Sequence, residues 1–205
     1  MFGVWAEAVR DFADKARLSQ DSNAFNVFRG GFTTTLTHDG VALFSASHTL
    51  LGGGTASNLA SGALNTDNLF TASKQLMEQV DQRGVIRGNA PYILLVPAQL
   101  FKTATEITDS ALIADTGNNA INIYRSAMGL RVMFSPYLGS AAGGSETAWF
   151  LLARNHGIRR VVRQGIQTGL MSWEYTDNRS YVYSANFREE AYAVDWAGAV
   201  GALGT

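Results

Sequence analysis

The segment DGVALFSASH, at residues 39–48, contains the residue types of a hydrolytic triad. Asp39 opens it, and Ser47 and His48 close it as direct neighbours. A serine nucleophile must meet its histidine base side chain to side chain, whereas neighbouring residues on a strand point to opposite faces. The chain also lacks the G-x-S-x-G turn of many serine hydrolases. We therefore interpret Ser47 and His48 as structural residues and keep a serine hydrolase as a remote alternative.

Metal, thiol and phosphate chemistry have even less support in the sequence. The chain has no cysteine and three histidines, none of which has a second histidine four residues away. The glycines at 52–54 lack the lysine of a phosphate-binding loop, and the next predicted helix begins about a dozen residues later. We interpret these glycines as a flexible loop and expect no metal, no cofactor and no catalytic residue.

Basic residues concentrate in one stretch, at Arg154, Arg159, Arg160 and Arg163. Nucleic-acid contact is one interpretation of this cluster; exposed strand charges or ion pairs between subunits are the other. The second is favoured because no aromatic stack accompanies the arginines. The whole chain has 16 basic and 17 acidic side chains, a net charge of −1, which argues against a protein whose main task is to grip DNA. No apolar run is long enough to predict a membrane span.

The elements that must position these residues are both helical and extended. Apolar residues at three- and four-residue steps predict helices over residues 4–29, 66–83 and 97–108. Apolar or alternating runs predict strands over residues 92–96, 130–134, 148–152, 157–162 and 180–194. The first helix is unusually long and contains no glycine or proline, which is typical of a strut. The sequence therefore predicts an α+β protein without a regular βαβ repeat.

Six segments in a fixed order carry a resemblance to a known family. They are DGVALFSASH, QLMEQVDQRG, NAPYILLVPAQLFKTATEI, MGLRVMFSPYLG, TAWFLLARN and REEAYAVDWAGAVG. Together they resemble the major capsid protein of tailed phages, closest to the major head subunit of Mu-like phages. The resemblance covers nearly the whole chain, and the order of the segments makes it specific although each is individually weak.

The resemblance implies the Hong Kong 97-type capsid fold, in which a long spine helix belongs to a peripheral (P) domain beside an axial (A) domain. It would assign residues 1–38 to the spine helix and crossover, 39–165 to the A domain, 166–190 to P-domain strands and 191–205 to a return to the A domain. DGVALFSASH would then be the crossover. The family's N-terminal arm and extended E-loop are missing or shortened before the helix, which puts independent shell assembly in doubt.

The implied function is that of a structural head protein, which forms pentamers and hexamers and then an icosahedral shell around the DNA genome. An encapsulin-type compartment, which shares the fold and holds proteins, is the alternative. The implied partners are copies of the chain, with scaffold, prohead protease, portal or decoration proteins as further candidates, in a virion assembled in the host cytoplasm. The expected subunit-interface residues are Trp5, Arg10, Gly117, Asn118, Asn119, Tyr124, Arg125, Arg159, Arg160 and Arg163.

Overall fold

The computed structural model describes residues 2–111, 121–171 and 182–204. The α-helices in these ranges are α1 (Phe2–Ala24), α2 (Asn26–Arg29), α3 (Thr66–Met77) and α4 (Phe101–Asp109). The strands are β1 (His48–Thr49), β2 (Thr55–Ala56), β3 (Leu59–Ala60), β4 (Pro91–Pro97), β5 (Arg131–Ser135), β6 (Trp149–Ala153), β7 (Ile158–Met171), β8 (Val182–Ala193) and β9 (Ala199–Ala202).

The chain forms two compact units, each built from two separate stretches of sequence. The first unit comprises Met1–Asn26 and Arg159–Tyr192, and the second comprises Val27–Ile158 and Ala193–Thr205. The assignment of residues 1–38, 39–165, 166–190 and 191–205 to P and A domains stays a prediction.

The first unit contains the long helix α1 and the paired strands β7 and β8. At about 1.5 Å per residue, the 23 residues of α1 span roughly 35 Å. The predicted helix over residues 4–29 is not continuous, because α1 ends at Ala24 and α2 begins at Asn26. Short polar side chains such as those of Ser22 and Asn23 compete for backbone hydrogen bonds and favour a break at this point.

Strands β7 and β8 pair with each other, and the aromatic ring of Phe12 on α1 packs edge-on against Tyr183 of β8 at 5.9 Å. The strand predicted at residues 157–162 is longer than expected and continues to Met171. In β8, partly buried residues alternate with exposed ones over much of the strand, as the alternating sequence pattern predicts.

A five-stranded sheet, in the order β3-β9-β6-β4-β5, organises the second unit. β4 pairs parallel with β5 and antiparallel with β6, while β9 lies between β3 and β6. Leu94 of β4 is opposite Val132 on one side and Leu151 on the other. The continuous apolar run of β4 is explained by this position, since a strand inside a covered sheet is buried on both faces.

Helix α3 lies over residues predicted to be helical but ends earlier, at Met77 rather than at residue 83. It begins where the Asn65 side chain accepts a hydrogen bond from the Asn68 backbone, at 2.8 Å. After Met77 the chain forms a tight hairpin, because the Asp81 carboxylate accepts backbone N–H groups at residues 83 and 85, and Gly84 has a φ of 81°. Among the described helices, none combines the length and apolar character needed to cross a membrane.

Candidate functional site

The DGVALFSASH segment lies in the second unit and begins with a tight turn. The turn is closed by the Thr37 backbone N–H, which donates to the carbonyl of Val41 at 2.9 Å, and Gly40 adopts a φ of 75°. The Asp39 carboxylate turns inward, where its Oδ1 accepts hydrogen bonds from the Thr37 hydroxyl at 2.6 Å and the Val41 N–H at 3.2 Å. The turn therefore places one carboxylate, 6% exposed, inside the unit.

His48 lies at the other end of the segment, where it is completely buried. Its Nδ1 is 2.8 Å from Asp39 Oδ2, and its Nε2 is 3.0 Å from Oδ1 of Asn58. The imidazole ring stacks on Trp196, with ring centroids 4.6 Å apart and planes at 7°. Both ring nitrogens are therefore occupied, and one face of the ring is covered by an aromatic side chain.

Asn58 connects the segment to the rest of the unit. Its amide nitrogen donates to the carbonyl oxygens of Leu43 at 2.7 Å and Trp196 at 3.3 Å. Its side-chain oxygen accepts the Ser45 N–H at 2.9 Å, and its own backbone N–H donates to the Ser45 carbonyl at 3.0 Å. We call Asp39, His48, Asn58 and Trp196 the buried polar cluster.

Burial raises the pKa of the Asp39 carboxyl, but hydrogen bonds outweigh this effect. The Thr37 hydroxyl, the His48 ring and the Val41 N–H all donate to the ionised form, so the net pKa lies below its usual value. Asp39 is thus an ionised carboxylate inside the unit, which requires a compensating partner.

Ser47 does not belong to this cluster. Its backbone N–H donates to Ser45 Oγ at 3.2 Å, and the two serine hydroxyl oxygens are 3.4 Å apart. In the described part of the chain, His48 has an amide and a carboxylate at its two nitrogens rather than a serine hydroxyl. Ser47 and His48 are therefore not in contact as the nucleophile and base of a serine hydrolase would be. This agrees with their interpretation as structural residues.

No group of three or more acidic or histidine side chains that could hold a metal ion occurs within residues 2–111, 121–171 and 182–204. The hydrogen bonds of the buried polar cluster are those of a structural brace. It ties the turn at Asp39, the start of β1 and the residues before β9 to one another through side chains that are at most 6% exposed.

The arginines of the basic cluster have separate environments. Arg160 of β7 donates from Nε at 3.1 Å and from Nη2 at 2.6 Å to Oε2 of Glu189, whose side chain is 2% exposed. Arg159 and Arg163 are exposed on the same strand, and no ion pair joins them to another described residue. Arg154 belongs to the second unit, where its guanidinium lies 4.4 Å from the ring centre of Tyr92.

The other expected interface residues have varied positions. Trp5 and Arg10 belong to α1, while Gly117, Asn118 and Asn119 lie outside the described residues. Arg125 is exposed and donates to the Asp109 carbonyl at 3.1 Å.

Tyr124 lies in the core of the second unit, where it is 1% exposed. Its hydroxyl donates to the Thr66 carbonyl at 3.4 Å, and burial raises its pKa to about 12. In the isolated chain it offers no surface to a partner, and tyrosines with one polar end hydrogen-bonded are common inside proteins.

Sequence reasoning did not single out Asn58 or Trp196. Asn58 lies in a stretch of small residues that we interpret as a loop. Trp196 belongs to the closing segment REEAYAVDWAGAVG, which contributed to the resemblance as a whole without a separate role for the tryptophan. The sequence shows that Asn58 follows His48 by ten residues, but the six hydrogen bonds of Asn58 are seen only in the structure.

Comparison with known proteins adds three solved structures of the same fold. The asymmetric unit of the mature capsid of bacteriophage PhiM1 aligns with a TM-score of 0.56 and 14% identity, over 97% of this chain and 64% of that chain. The capsid of an empty GTA particle aligns with a TM-score of 0.50 and 10% identity, over 93% of this chain and 65% of that chain. A phage-related protein from Bordetella bronchiseptica RB50 aligns with a TM-score of 0.51 and 9% identity, over 100% of this chain and 68% of that chain.

The family described as phage capsid protein matches residues 1–202. No curated protein matches the chain. The chain spans about two thirds of the length of the solved structures, and at these identities they establish its fold. The predicted α+β fold of the Hong Kong 97 type is thereby confirmed.

Proposed function

The chain belongs to the phage capsid protein family, and we propose that it is a head subunit that assembles with its own copies, through pentamers and hexamers, into an icosahedral shell around DNA. The match of the family to residues 1–202 carries this proposal, together with a fold shared with a mature phage capsid. On this proposal the subunit acts through its surfaces, in a virion assembled in the host cytoplasm.

The β5 edge of the five-stranded sheet, with which no further strand of the described residues pairs, supports a contact between copies. β5 is at the end of the sheet, and its Met133 and Phe134 side chains are 47% and 54% exposed. The ring of Phe101 lies 4.7 Å from that of Phe134 and is itself exposed. An edge strand with apolar side chains is a surface that proteins ordinarily cover or pair. A neighbouring copy in a capsomer would cover it.

Exposed arginines are the second group of candidate contacts. Arginine is enriched at protein interfaces because its planar guanidinium binds carboxylates with two hydrogen bonds. Arg10, Arg125, Arg159 and Arg163 are exposed, and with Trp5 and residues 117–119 they remain the proposed interface set. Arg160 already forms an ion pair with Glu189, so we propose that it stabilises the first unit.

Overall charge supports a shell that encloses DNA without sequence-specific binding. The net charge of −1 provides little general attraction to phosphate, so packed DNA would not adhere to the wall. Scaffold, prohead protease, portal and decoration proteins are proposed further partners.

The experiment is a measurement of particle mass by light scattering, with negative-stain imaging of the same sample. Rings of five or six subunits, or closed shells, are the expected result. Phe134→Asp is expected to reduce the assembled fraction at least tenfold, because a carboxylate would be buried at the edge contact. Asn155→Asp adds the same charge at another exposed site of the second unit and is the matched control. A folded monomer at every concentration would contradict the proposal.

A further inference from the structure

The two hydrogen bonds of His48 determine how many protons its ring carries. We propose that His48 is held as an imidazolium, and that this buried proton fastens the DGVALFSASH segment to the five-stranded sheet, so that loss of the proton loosens the segment. The inference is independent of shell assembly, because all of its contacts lie within the second unit of one chain.

The amide of Asn58 has one orientation that satisfies its neighbours. Carbonyl oxygens accept hydrogen bonds and cannot donate them, so the amide nitrogen must be the atom that faces the carbonyls of Leu43 and Trp196. The amide oxygen then faces the Ser45 N–H and Nε2 of His48. Because an amide oxygen accepts only, Nε2 of His48 must carry a hydrogen.

The carboxylate of Asp39 likewise requires a hydrogen on the other ring nitrogen, Nδ1. Its Oδ1 already accepts from the Thr37 hydroxyl and the Val41 N–H, both of which stabilise the ionised form. Its Oδ2 is 2.8 Å from Nδ1 of His48, and an ionised carboxylate can only accept. Nδ1 must therefore carry a hydrogen as well, and a ring with hydrogens on both nitrogens is an imidazolium.

The surroundings compensate this charge without water. Asp39 supplies the negative charge, and the stacked indole of Trp196, 4.6 Å away, offers the electron-rich face that attracts cations. Asn58 is neutral, so the carboxylate is the partner charge in direct contact with the ring.

Two other charged or titratable groups lie on the elements that meet here. His38 precedes Asp39, and its Nδ1 is 3.3 Å from the Val194 carbonyl. Asp195 precedes Trp196 and is paired with Arg87, at 2.5 Å. Each has a partner of its own, so neither replaces Asp39 as the counter-ion.

A neutral ring has one hydrogen and must give up one of its two bonds. Releasing Asp39 would leave an ionised carboxylate buried without its cation, and releasing Asn58 would leave a buried amide oxygen facing a ring nitrogen that also only accepts. The stabilisation is therefore lost when the pH rises and the ring deprotonates. It is also lost at acid pH, as the pH falls below the usual range of an aspartate and through the lowered pKa of Asp39.

The direct test is magic-angle-spinning NMR of the full chain with 15N-labelled histidine, sedimented at about pH 7.5, where an ordinary histidine, with a pKa of about 6.5, is mostly neutral. This method serves monomers and shells alike. His38→Gln and His156→Gln identify the His48 signals. Two protonated ring nitrogens at His48 are expected. One bare ring nitrogen would overturn the proposal.

Asp39→Asn tests whether the carboxylate holds the proton, since it keeps the shape of the side chain and removes its charge. The variant is expected to show one bare nitrogen at His48 and to melt about 10 °C lower. A ring that stays doubly protonated in a folded Asp39→Asn variant would contradict the proposal.

The unmodified protein provides a test that does not depend on a variant that folds. The chain has no cysteine, so between about pH 7 and pH 9 histidines and the α-amino group are the groups that ordinarily titrate. The melting temperature is expected to fall over this interval, and His38→Gln is expected to retain the fall. A melting temperature that is constant from pH 7 to pH 9 would contradict the proposal.

Discussion

The buried polar cluster and the β7–β8 pair differ in how completely their buried polar atoms are hydrogen-bonded. In the cluster, Asp39 and His48 each use both polar atoms of their side chains in hydrogen bonds within the second unit. On β8, Glu189 is buried with both bonds from Arg160 on Oε2, while its Oε1 has no hydrogen-bond partner among the described residues. The carboxylate and the imidazole of the first region satisfy their polar groups within the chain, whereas the second has one buried carboxylate oxygen without a partner among the described residues and exposes Arg159 and Arg163 on its surface.

This difference is expected of an assembling subunit in which one region stabilises the fold and another contacts neighbouring copies. A region whose hydrogen bonds are complete can fold before any partner arrives. Exposed charges, in contrast, gain favourable contacts once a partner supplies charges of the opposite sign. The variants below test whether the two regions differ in this way, beginning with the largest expected effect.

Asn58→Ala should have the largest effect on folding. It would remove four side-chain hydrogen bonds and leave the buried carbonyl of Leu43 and Nε2 of His48 without partners. From these lost bonds we expect a decrease of about 4 kcal/mol in the free energy of unfolding, measured with urea. Asn155→Ala, at an exposed asparagine of the same unit, is the control and should change stability by less than about 0.5 kcal/mol. Equal effects of the two variants would mean that the cluster is not the brace described here.

Arg160→Gln should have the next largest effect, because it would leave the Glu189 carboxylate buried without its cation. We expect a loss of about 2–3 kcal/mol, less than for a fully buried pair because the arginine is 38% exposed. Arg163→Gln, on the same strand without an ion pair among the described residues, is the control. Replacing both Arg160 and Glu189 by Met should recover most of the loss, and failure to recover would show that the charge pair is not the cause.

A pair of glycine substitutions should show the smallest effect and the clearest contrast between the regions. A Cβ at Gly201 of β9 would lie 2.6 Å from the buried ring of Phe44, whereas a Cβ at Gly165 of β7 would meet nothing within 4 Å. We expect Gly201→Ala to lower stability by about 1–3 kcal/mol and Gly165→Ala to leave it unchanged or slightly higher. Thermal unfolding would compare them. A destabilised Gly165→Ala would show that β7 is more tightly packed than the structure indicates.

The sequence predicted the elements whose periodicity is strong. The apolar run in β4 and the helices α1 and α3 were found because their patterns reflect burial directly. The ends of helices were predicted less well, since the break after Ala24 and the end of α3 at Met77 depend on local side-chain hydrogen bonds. At α3 the decisive one is the Asp81 carboxylate, which stabilises a hairpin that competes with further helix.

The candidate site was predictable in part. The adjacency of Ser47 and His48 already argued against a catalytic pair, but the sequence contains no sign that Asp39 reaches His48 or that Trp196 covers it. These contacts join residues up to 148 positions apart, and they arise from the order of strands in the sheet. Single-sequence patterns report on burial and turns, and they carry no information on which distant residues meet.

The position of β9 has a consequence for the timing of protein synthesis. β9 is an interior strand, between β3 and β6, yet about 45 residues separate the end of β6 from its start. At roughly 5–20 residues per second, a ribosome needs several seconds to add them. Throughout that interval the backbone N–H and C=O groups of β3 and β6 that will pair with β9 have no partner strand, which exposes nascent chains on neighbouring ribosomes to mispairing. We therefore expect a cell that produces the protein rapidly to need chaperones during this interval, however stable the finished fold is.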